Sequence, residues 1–200
     1  MGSTPTLATF GELTLHISPV TAGSWSSGNE GLVVVVVGEA SVTGGGAMAI
    51  VVDPYNHLKN WSNSSSSFCK WFGVTCDSNI ERVTILSLPE MGFEGTLPSQ
   101  IENLSFLEKL ELQSNNVHGG LPKELLQLHK LEILNLSYNT FSGDIPTWIG
   151  SLFMLQPLYL GNNSFGGPTP QSIYNLSKLE TLDMMSNSIN GSIPLDIGRL

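Results

Sequence analysis

The side chains that most often do chemistry in proteins are few and scattered in this sequence. Its four histidines are far apart, and each is interpreted as a surface residue rather than a ligand or a base: His16, His57, His118 and His129. Neither a nucleophile elbow, a metalloprotease motif, a phosphate-binding loop nor a kinase lysine motif is present. No spacing of Ser, His and Asp favours a triad. The sequence therefore predicts no catalytic residue, no enzyme activity and no cofactor.

Two cysteines, Cys69 and Cys76, are the only others with distinctive chemistry. They are close enough in sequence to close a small disulfide loop, and two free buried thiols are the alternative. A metal site lacks ligands, because no histidine or further cysteine is near them.

Composition bounds the remaining possibilities. The chain has 200 residues, which allows one domain with an appendage, and a formal net charge of −9. Only eight lysines and arginines are present, none before Lys59, so nucleic acid is not expected as a partner. The apolar runs are too short for a transmembrane segment.

An internal repeat determines the architecture. Five segments align without insertion, and their first residues are 24 positions apart: Val83, Leu107, Leu131, Leu155 and Leu179. Each opens with the pattern L-x-x-L-x-L, which predicts a short strand with one buried face. Stacking of such strands gives a parallel sheet on the inside of a curve.

The remaining columns have physical roles as well. We expect the asparagine column to bond open backbone groups of adjacent coils: Asn115, Asn139, Asn163 and Asn187. Met91 takes this place in the first repeat, so the ladder should start one repeat later. A glycine column permits a bend, and a proline column fixes the opposite side.

After the asparagine each repeat continues to G-x-(I/L)-P, as in Gly143–Pro146 and Gly191–Pro194, although Thr169 takes the Ile place in the fourth, and the pattern so resembles the plant-specific leucine-rich repeat. Upstream, Asp53-Pro54, Asn60-Trp61 and the segment from Cys69 to Cys76 resemble the N-terminal cap of plant receptor-like kinases, most of all the immune receptors for flagellin and elongation factor. The resemblance implies an α/β solenoid, a right-handed superhelix with an inner parallel β-sheet. It also implies the extracellular side of the plasma membrane, although no signal peptide is recognisable.

The domain organisation follows from these segments. Residues 51–82 are predicted to be an incomplete cap, and residues 83–200 five repeats, the last incomplete. Residues 1–50 are rich in Gly, Ser, Thr and Val and are expected to be poorly ordered. We interpret the chain as a fragment from a truncated or incorrectly assembled gene. In the cap, we predict a Cys69–Cys76 disulfide, with Trp71 and Val74 packed on the first repeat.

Two sets of surface residues carry the functional prediction. N-x-S/T glycosylation signals occur at Asn60, Asn63, Asn103, Asn135, Asn162, Asn175 and Asn190, of which the first three are favoured. Candidates for binding on the concave face flank the inward leucines: Ser87, Lys109, Glu111, Gln113, Ile133, Asn135, Tyr138, Tyr159, Thr181 and Asp183.

This mixture of aromatic, polar and acidic groups suits recognition of a peptide or protein, and a co-receptor is a further expected partner. The first hypothesis is therefore a ligand-binding ectodomain fragment of a receptor-like kinase, whose kinase is absent here. A secreted inhibitor of cell-wall hydrolases and an inactive pseudogene product are the alternatives.

Overall fold

In a computed structural model of the chain, the described residues are 7–10, 13–16, 50–52, 68–79 and 82–191. Within residues 83–191 the chain folds as stacked coils of 24 residues. Each coil contributes one strand to each of two sheets, except that the described part of the last coil, residues 179–191, contributes a strand to one sheet. The predicted solenoid is confirmed. Helices on the far side of each coil are short 3₁₀ turns.

The inner sheet contains six of the strands, which are numbered here along the chain. Its strands are β4 (Val74–Cys76), β5 (Val83–Ser87), β7 (Lys109–Glu111), β9 (Ile133–Asn135), β11 (Pro157–Tyr159) and β13 (Thr181–Asp183). All neighbours from β5 to β13 pair in parallel, and β4 pairs antiparallel with β5. From β7 onward, the central residue of each strand is the fourth residue of the L-x-x-L-x-L pattern.

The outer sheet contains five strands and was not predicted. Its strands are β3 (Ile50–Val52), β6 (Glu94–Thr96), β8 (Asn116–Gly119), β10 (Thr140–Asp144) and β12 (Ser164–Gly166). The repeat strands pair in parallel, and β3 pairs antiparallel with β6. A separate antiparallel pair is formed by β1 (Leu7–Phe10) and β2 (Leu13–His16). The expectation for the rest of residues 1–50 lies outside the described residues.

The core lies between the two sheets and the 3₁₀ turns. Leucines of the inner strands are fully or almost fully buried, as at Leu110, Leu134 and Leu158. The apolar column after the asparagines adds Phe141 and Phe165, whose rings stack with centroids 6.1 Å apart. Since these contacts join successive coils, each coil depends on its neighbours for burial.

The far side of the coils is formed by 3₁₀ turns, and in the repeats each turn follows a proline. The bounds are Phe68–Lys70 in the cap, then Ser99–Asn103, Lys123–Gln127, Thr147–Ser151 and Gln171–Asn175. The prolines Pro98, Pro122, Pro146 and Pro170 precede the last four turns with φ between −80 and −67°. Proline fits here because a residue that begins a helical turn needs no donor.

Asparagine side chains join the coils as predicted. Asn115 accepts hydrogen bonds from the backbone N–H groups of Met91 and Phe93 in the preceding coil, both at 3.0 Å. Its amide also donates to the carbonyl oxygens of Leu88 and Leu112, at 2.9 Å each. Asn139, Asn163 and Asn187 likewise each accept a hydrogen bond from one backbone N–H of the preceding coil and donate to a carbonyl oxygen of that coil. The ladder therefore starts with Asn115, as Met91 in the first repeat implied.

The cap closes the first coil. Cys69 and Cys76 form a disulfide with their Cα atoms 5.5 Å apart, which confirms the predicted bridge. Trp71 is buried and Val74 packs against the core, as expected. Gly73 has a φ of +75°, and its carbonyl accepts a hydrogen bond from the N–H of Ser87 at 2.8 Å. Strand β4 thereby covers the edge of the inner sheet.

In the column of equivalent positions that starts at Arg82, cationic residues alternate from coil to coil with an aromatic ring or a thioether. Lys130 Nζ lies 4.1 Å from the ring centroid of Phe106, and the Arg82 guanidinium lies 5.8 Å from it on the same ring. Two coils along, Lys178 Nζ is 3.4 Å from Met154 Sδ. These contacts join residues 24 positions apart, so they add to the interactions between coils.

Candidate functional site

The open face is the side of the inner sheet that points away from the core. Along its centre runs one row of residues whose Cα atoms are partners from strand to strand. The row consists of Ser87, Glu111, Asn135, Tyr159 and Asp183, and all five are half-buried. Because strand residues alternate between the two faces, the leucines on either side of this row point into the core.

The structure places the ten predicted binding residues along this face. A second row, parallel to the first, pairs Ile85 with Lys109 and Lys109 with Ile133, and further along pairs Pro157 with Thr181. Gln113 and Tyr138 follow the ends of β7 and β9. The ten residues are thus brought to one surface, and their contact with a ligand stays a prediction.

The end of the open face nearest the cap is bonded internally. Lys109 Nζ and Glu111 Oε1 form an ion pair at 3.1 Å. The other carboxylate oxygen of Glu111 accepts a hydrogen bond from the Ser87 hydroxyl at 2.7 Å. Charge is balanced in this network, and both charged side chains are partly buried. A ligand would meet a rigid, polar and nearly neutral surface here.

In the middle of the row, Asn135 bonds to its own strand end. Its Oδ1 accepts hydrogen bonds from the Ser137 hydroxyl at 2.7 Å and from the Ser137 N–H at 3.2 Å. Ser137 is buried, and it is the third residue of the Asn135 glycosylation signal. A glycan on Asn135 would therefore project from the open face and cover it.

Four of the other glycosylation signals lie within the described residues, and Asn162 among them is equivalent in its coil to Tyr138. Asn175 and Asn190 are exposed, whereas Asn103 and Asn162 are half-buried. Asn60 and Asn63, two of the three favoured sites, lie outside the described residues. Occupancy of all seven sites stays a prediction.

The far end of the open face is more exposed and more aromatic. Tyr138 is 61% exposed and Met185 is 74% exposed. Between them lies Gly161, whose carbonyl accepts a hydrogen bond from the Tyr138 N–H at 3.0 Å. The carboxylate of Asp183 lies over Gly161, with Oδ2 only 2.6 Å from the place that a Cβ would take.

A row of left-handed residues follows the inner strands and was missed in the sequence. Their φ angles are between 52° and 59°, although none is glycine: Glu90, Ser114, Tyr138, Asn162 and Ser186. Non-glycine residues enter this region at a cost, so the coil geometry imposes it. The residue types at these positions have no property in common. The sequence signal is therefore the position alone, directly before the asparagine column.

The outward residues of the outer sheet offer a contrasting surface. Asn116, Thr140 and Ser164 occupy equivalent places in successive coils, and all three are exposed. They are small and polar, with none of the aromatic groups that anchor protein ligands. Over the described part of the chain, no group of three or more His, Cys, Asp or Glu residues could hold a metal ion. None of the helices described here is long and apolar enough to span a membrane.

Comparison with known families places the cap and the coils. The model of the leucine-rich-repeat N-terminal domain matches residues 48–77. Leucine-rich-repeat models match residues 105–165 and 178–200. The matched segments thus correspond to the cap and to the repeated coils.

Among curated proteins, the chain is similar to the inactive LRR receptor-like serine/threonine-protein kinase BIR2 of Arabidopsis thaliana. The two are 40% identical over 84 residues, which are 40% of this chain and 14% of that protein. The chain therefore spans about one seventh of the length of this relative. The matched part is of the leucine-rich-repeat ectodomain type and not of the kinase-domain type.

Solved structures agree on the fold. A chain in the crystal structure of the BIR3–SERK2 complex from Arabidopsis thaliana is 32% identical with a TM-score of 0.69, and the match covers 74% of this chain and 82% of that one. The ectodomain of GASSHO1/SCHENGEN3 from Arabidopsis thaliana, in complex with CASPARIAN STRIP INTEGRITY FACTOR 2, is 36% identical with a TM-score of 0.69. That match covers 74% of this chain and 17% of the ectodomain.

Proposed function

This chain belongs to the plant leucine-rich-repeat family, and from that premise we propose that it binds a peptide, or an extended segment of a protein, through the open face. The ligand lies along the row from Ser87 to Asp183. The chain acts by binding and not by catalysis. Its place of action is the extracellular side of the plasma membrane, where the disulfide is stable.

One observation carries this proposal above the others. Five residues with four kinds of side-chain group are held in register across five strands: a hydroxyl, a carboxylate, an amide, a phenol and a second carboxylate. Because the row is fixed by backbone pairing, its side chains are pre-organised for an extended ligand, and binding costs little ordering of the protein.

Two similar structures support the class of partner. The GASSHO1/SCHENGEN3 ectodomain is seen in complex with CASPARIAN STRIP INTEGRITY FACTOR 2, and BIR3 is seen in complex with SERK2. By analogy, we propose a peptide or protein ligand and a second ectodomain as co-receptor for this chain. Membership of the immune-receptor group stays a prediction, since the relatives span several groups of receptor kinase.

The proposal is tested by selection with the full chain, produced by secretion so that the disulfide forms. The immobilised chain is offered a random-peptide library displayed on phage, and recovered peptides are synthesised and measured by calorimetry. We expect recovery of related sequences that bind at micromolar concentration or tighter. Recovery of no peptide above the level of a blank surface, in repeated selections, would refute peptide recognition by this chain.

A further inference from the structure

We propose that Asp183, Tyr138, Tyr159 and Met185 form an anchor site for one basic side chain of the ligand, an arginine or a lysine. This inference rests on the proposed function, and it adds a specific requirement to the ligand. The four residues surround Gly161 at the far end of the open face and are named here the basic-anchor site.

The position of the Asp183 carboxylate depends on one hydrogen bond and on the absence of a side chain at Gly161. Its Oδ1 accepts a hydrogen bond from the N–H of Met185 at 2.9 Å. Its two oxygens lie 2.6 Å and 2.8 Å from the point where a Cβ on Gly161 would be. Any other residue at 161 would displace the carboxylate, so glycine makes this placement possible. The hydrogen bond from Met185 orients the carboxylate, and the open space over Gly161 lets it lie on the open face.

Charge on the open face is compensated at one end and not at the other. Glu111 is neutralised by Lys109 at 3.1 Å. Asp183, three strands further along, forms no ion pair with any residue that the structure describes. A half-buried carboxylate that a hydrogen bond orients and that has no cation attracts one from a ligand, and the net charge of −9 adds to this attraction.

Two tyrosines of the basic-anchor site favour a cation as the bound group. Tyr159 is the Cα partner of Asp183 on the neighbouring strand, so their side chains are adjacent on the same face. Tyr138 is 61% exposed, and its N–H bonds to the carbonyl of Gly161 at 3.0 Å. Phenol rings near a carboxylate suit a guanidinium or ammonium group, which gains a cation–π contact in addition to the ion pair.

Met185 completes the site. It is 74% exposed and lies two residues after Asp183, the last residue of β13. Arginine and lysine bring a long aliphatic stem along with their charge, and a flexible thioether is well suited to pack against it. An acidic or a purely apolar ligand side chain would leave either the carboxylate or the methionine without a partner.

The test compares peptides selected by the wild-type chain with those selected by Asp183→Asn, which keeps the size of the side chain and an acceptor for the Met185 N–H. The matched control is Asp144→Asn, because the Asp144 carboxylate lies over Gly167 on the outer sheet in the same manner. We expect enrichment of Arg or Lys at one position with the wild type and the control. We expect that enrichment to disappear with Asp183→Asn.

The same peptides then give the affinities. A selected basic peptide should bind Asp183→Asn about fivefold more weakly or worse, and Asp144→Asn unchanged. Replacing the basic residue of the peptide by citrulline or norleucine should weaken binding to the wild type similarly and leave binding to Asp183→Asn almost unaltered. Selection of peptides without basic enrichment would overturn the basic-anchor site while leaving peptide recognition intact. Failure to select any peptide would overturn both.

Discussion

Asn139 Nδ2 donates a hydrogen bond to the carbonyl oxygen of Leu112, 27 positions earlier in the chain, at 2.8 Å. The Oδ1 of the same side chain accepts from the N–H of Val117 at 2.9 Å, so one amide joins two coils at two backbone points. Asn139 is only 8% exposed, which keeps water away from these groups. The coil stack is thus held together by buried polar contacts as well as by its apolar core.

Removal of this amide should be costly. We expect Asn139→Ala to lower the free energy of unfolding by about 2–4 kcal/mol, because the backbone groups of Leu112 and Val117 would be left buried without partners. The measurement is the urea midpoint followed by circular dichroism. Asn116→Ala is the control, since Asn116 is exposed, and its effect should stay within about 0.5 kcal/mol. Equal midpoints for the two variants would contradict the role of the asparagine ladder.

Two glycines with similar backbone angles allow the cost of a left-handed backbone to be distinguished from the cost of a steric clash. Gly73 has a φ of +75° and Gly143 a φ of +84°. A Cβ on Gly73 would overlap the Ser87 carbonyl and approach Leu88 Cδ2 to 2.5 Å, whereas a Cβ on Gly143 would meet nothing within 4 Å.

We therefore expect Gly143→Ala to cost about 1 kcal/mol, which is the strain alone. Gly73→Ala should cost at least about 2 kcal/mol more, because the cap strand must move away from the first coil. Thermal and urea unfolding of the two variants checks this difference. If both substitutions have the same effect, then the cap does not pack on the first coil as closely as described.

Reduction of the cap disulfide should loosen the same region. The loop between Cys69 and Cys76 is short, with a sequence separation of 7, and its closure contributes roughly 2–3 kcal/mol in the chain-entropy account. We expect that loss in the Cys69→Ala, Cys76→Ala double variant, measured by urea unfolding against the oxidised chain. Mass spectrometry after alkylation of the secreted protein should find no labelled thiol. Full labelling without reductant would show that the bridge does not form.

Much of the architecture was predictable because it depends on columns of residues. The leucine column indicates which side chains must be buried, and the asparagine column indicates which backbone groups receive a hydrogen-bond partner. Each coil repeats both columns. The outer sheet was missed because its strands, such as Asn116–Gly119 and Ser164–Gly166, are rich in Gly, Ser and Asn and lack alternation. Their pairing follows from coil stacking and not from local propensity.

The candidate site was predictable only as a list of positions. Strand alternation correctly placed Glu111, Asn135 and Asp183 on one face. It could not show that Lys109 neutralises Glu111, or that the Asp183 carboxylate lies over Gly161, a residue 22 positions earlier. Such contacts depend on side-chain rotamers between neighbouring coils, which a sequence pattern does not determine.

The central claim, that the open face binds the ligand, is tested most directly by calorimetry of one selected peptide with two lysine variants. Asn135→Lys places a long charged side chain in the centre of the open face, and Asn116→Lys places the same group on the exposed side of the outer sheet. Urea midpoints establish beforehand that both variants are folded. We predict at least about a tenfold loss of affinity for Asn135→Lys and no change for Asn116→Lys. Unchanged binding by Asn135→Lys, or a loss confined to Asn116→Lys, would contradict the account and move the binding surface away from the inner sheet.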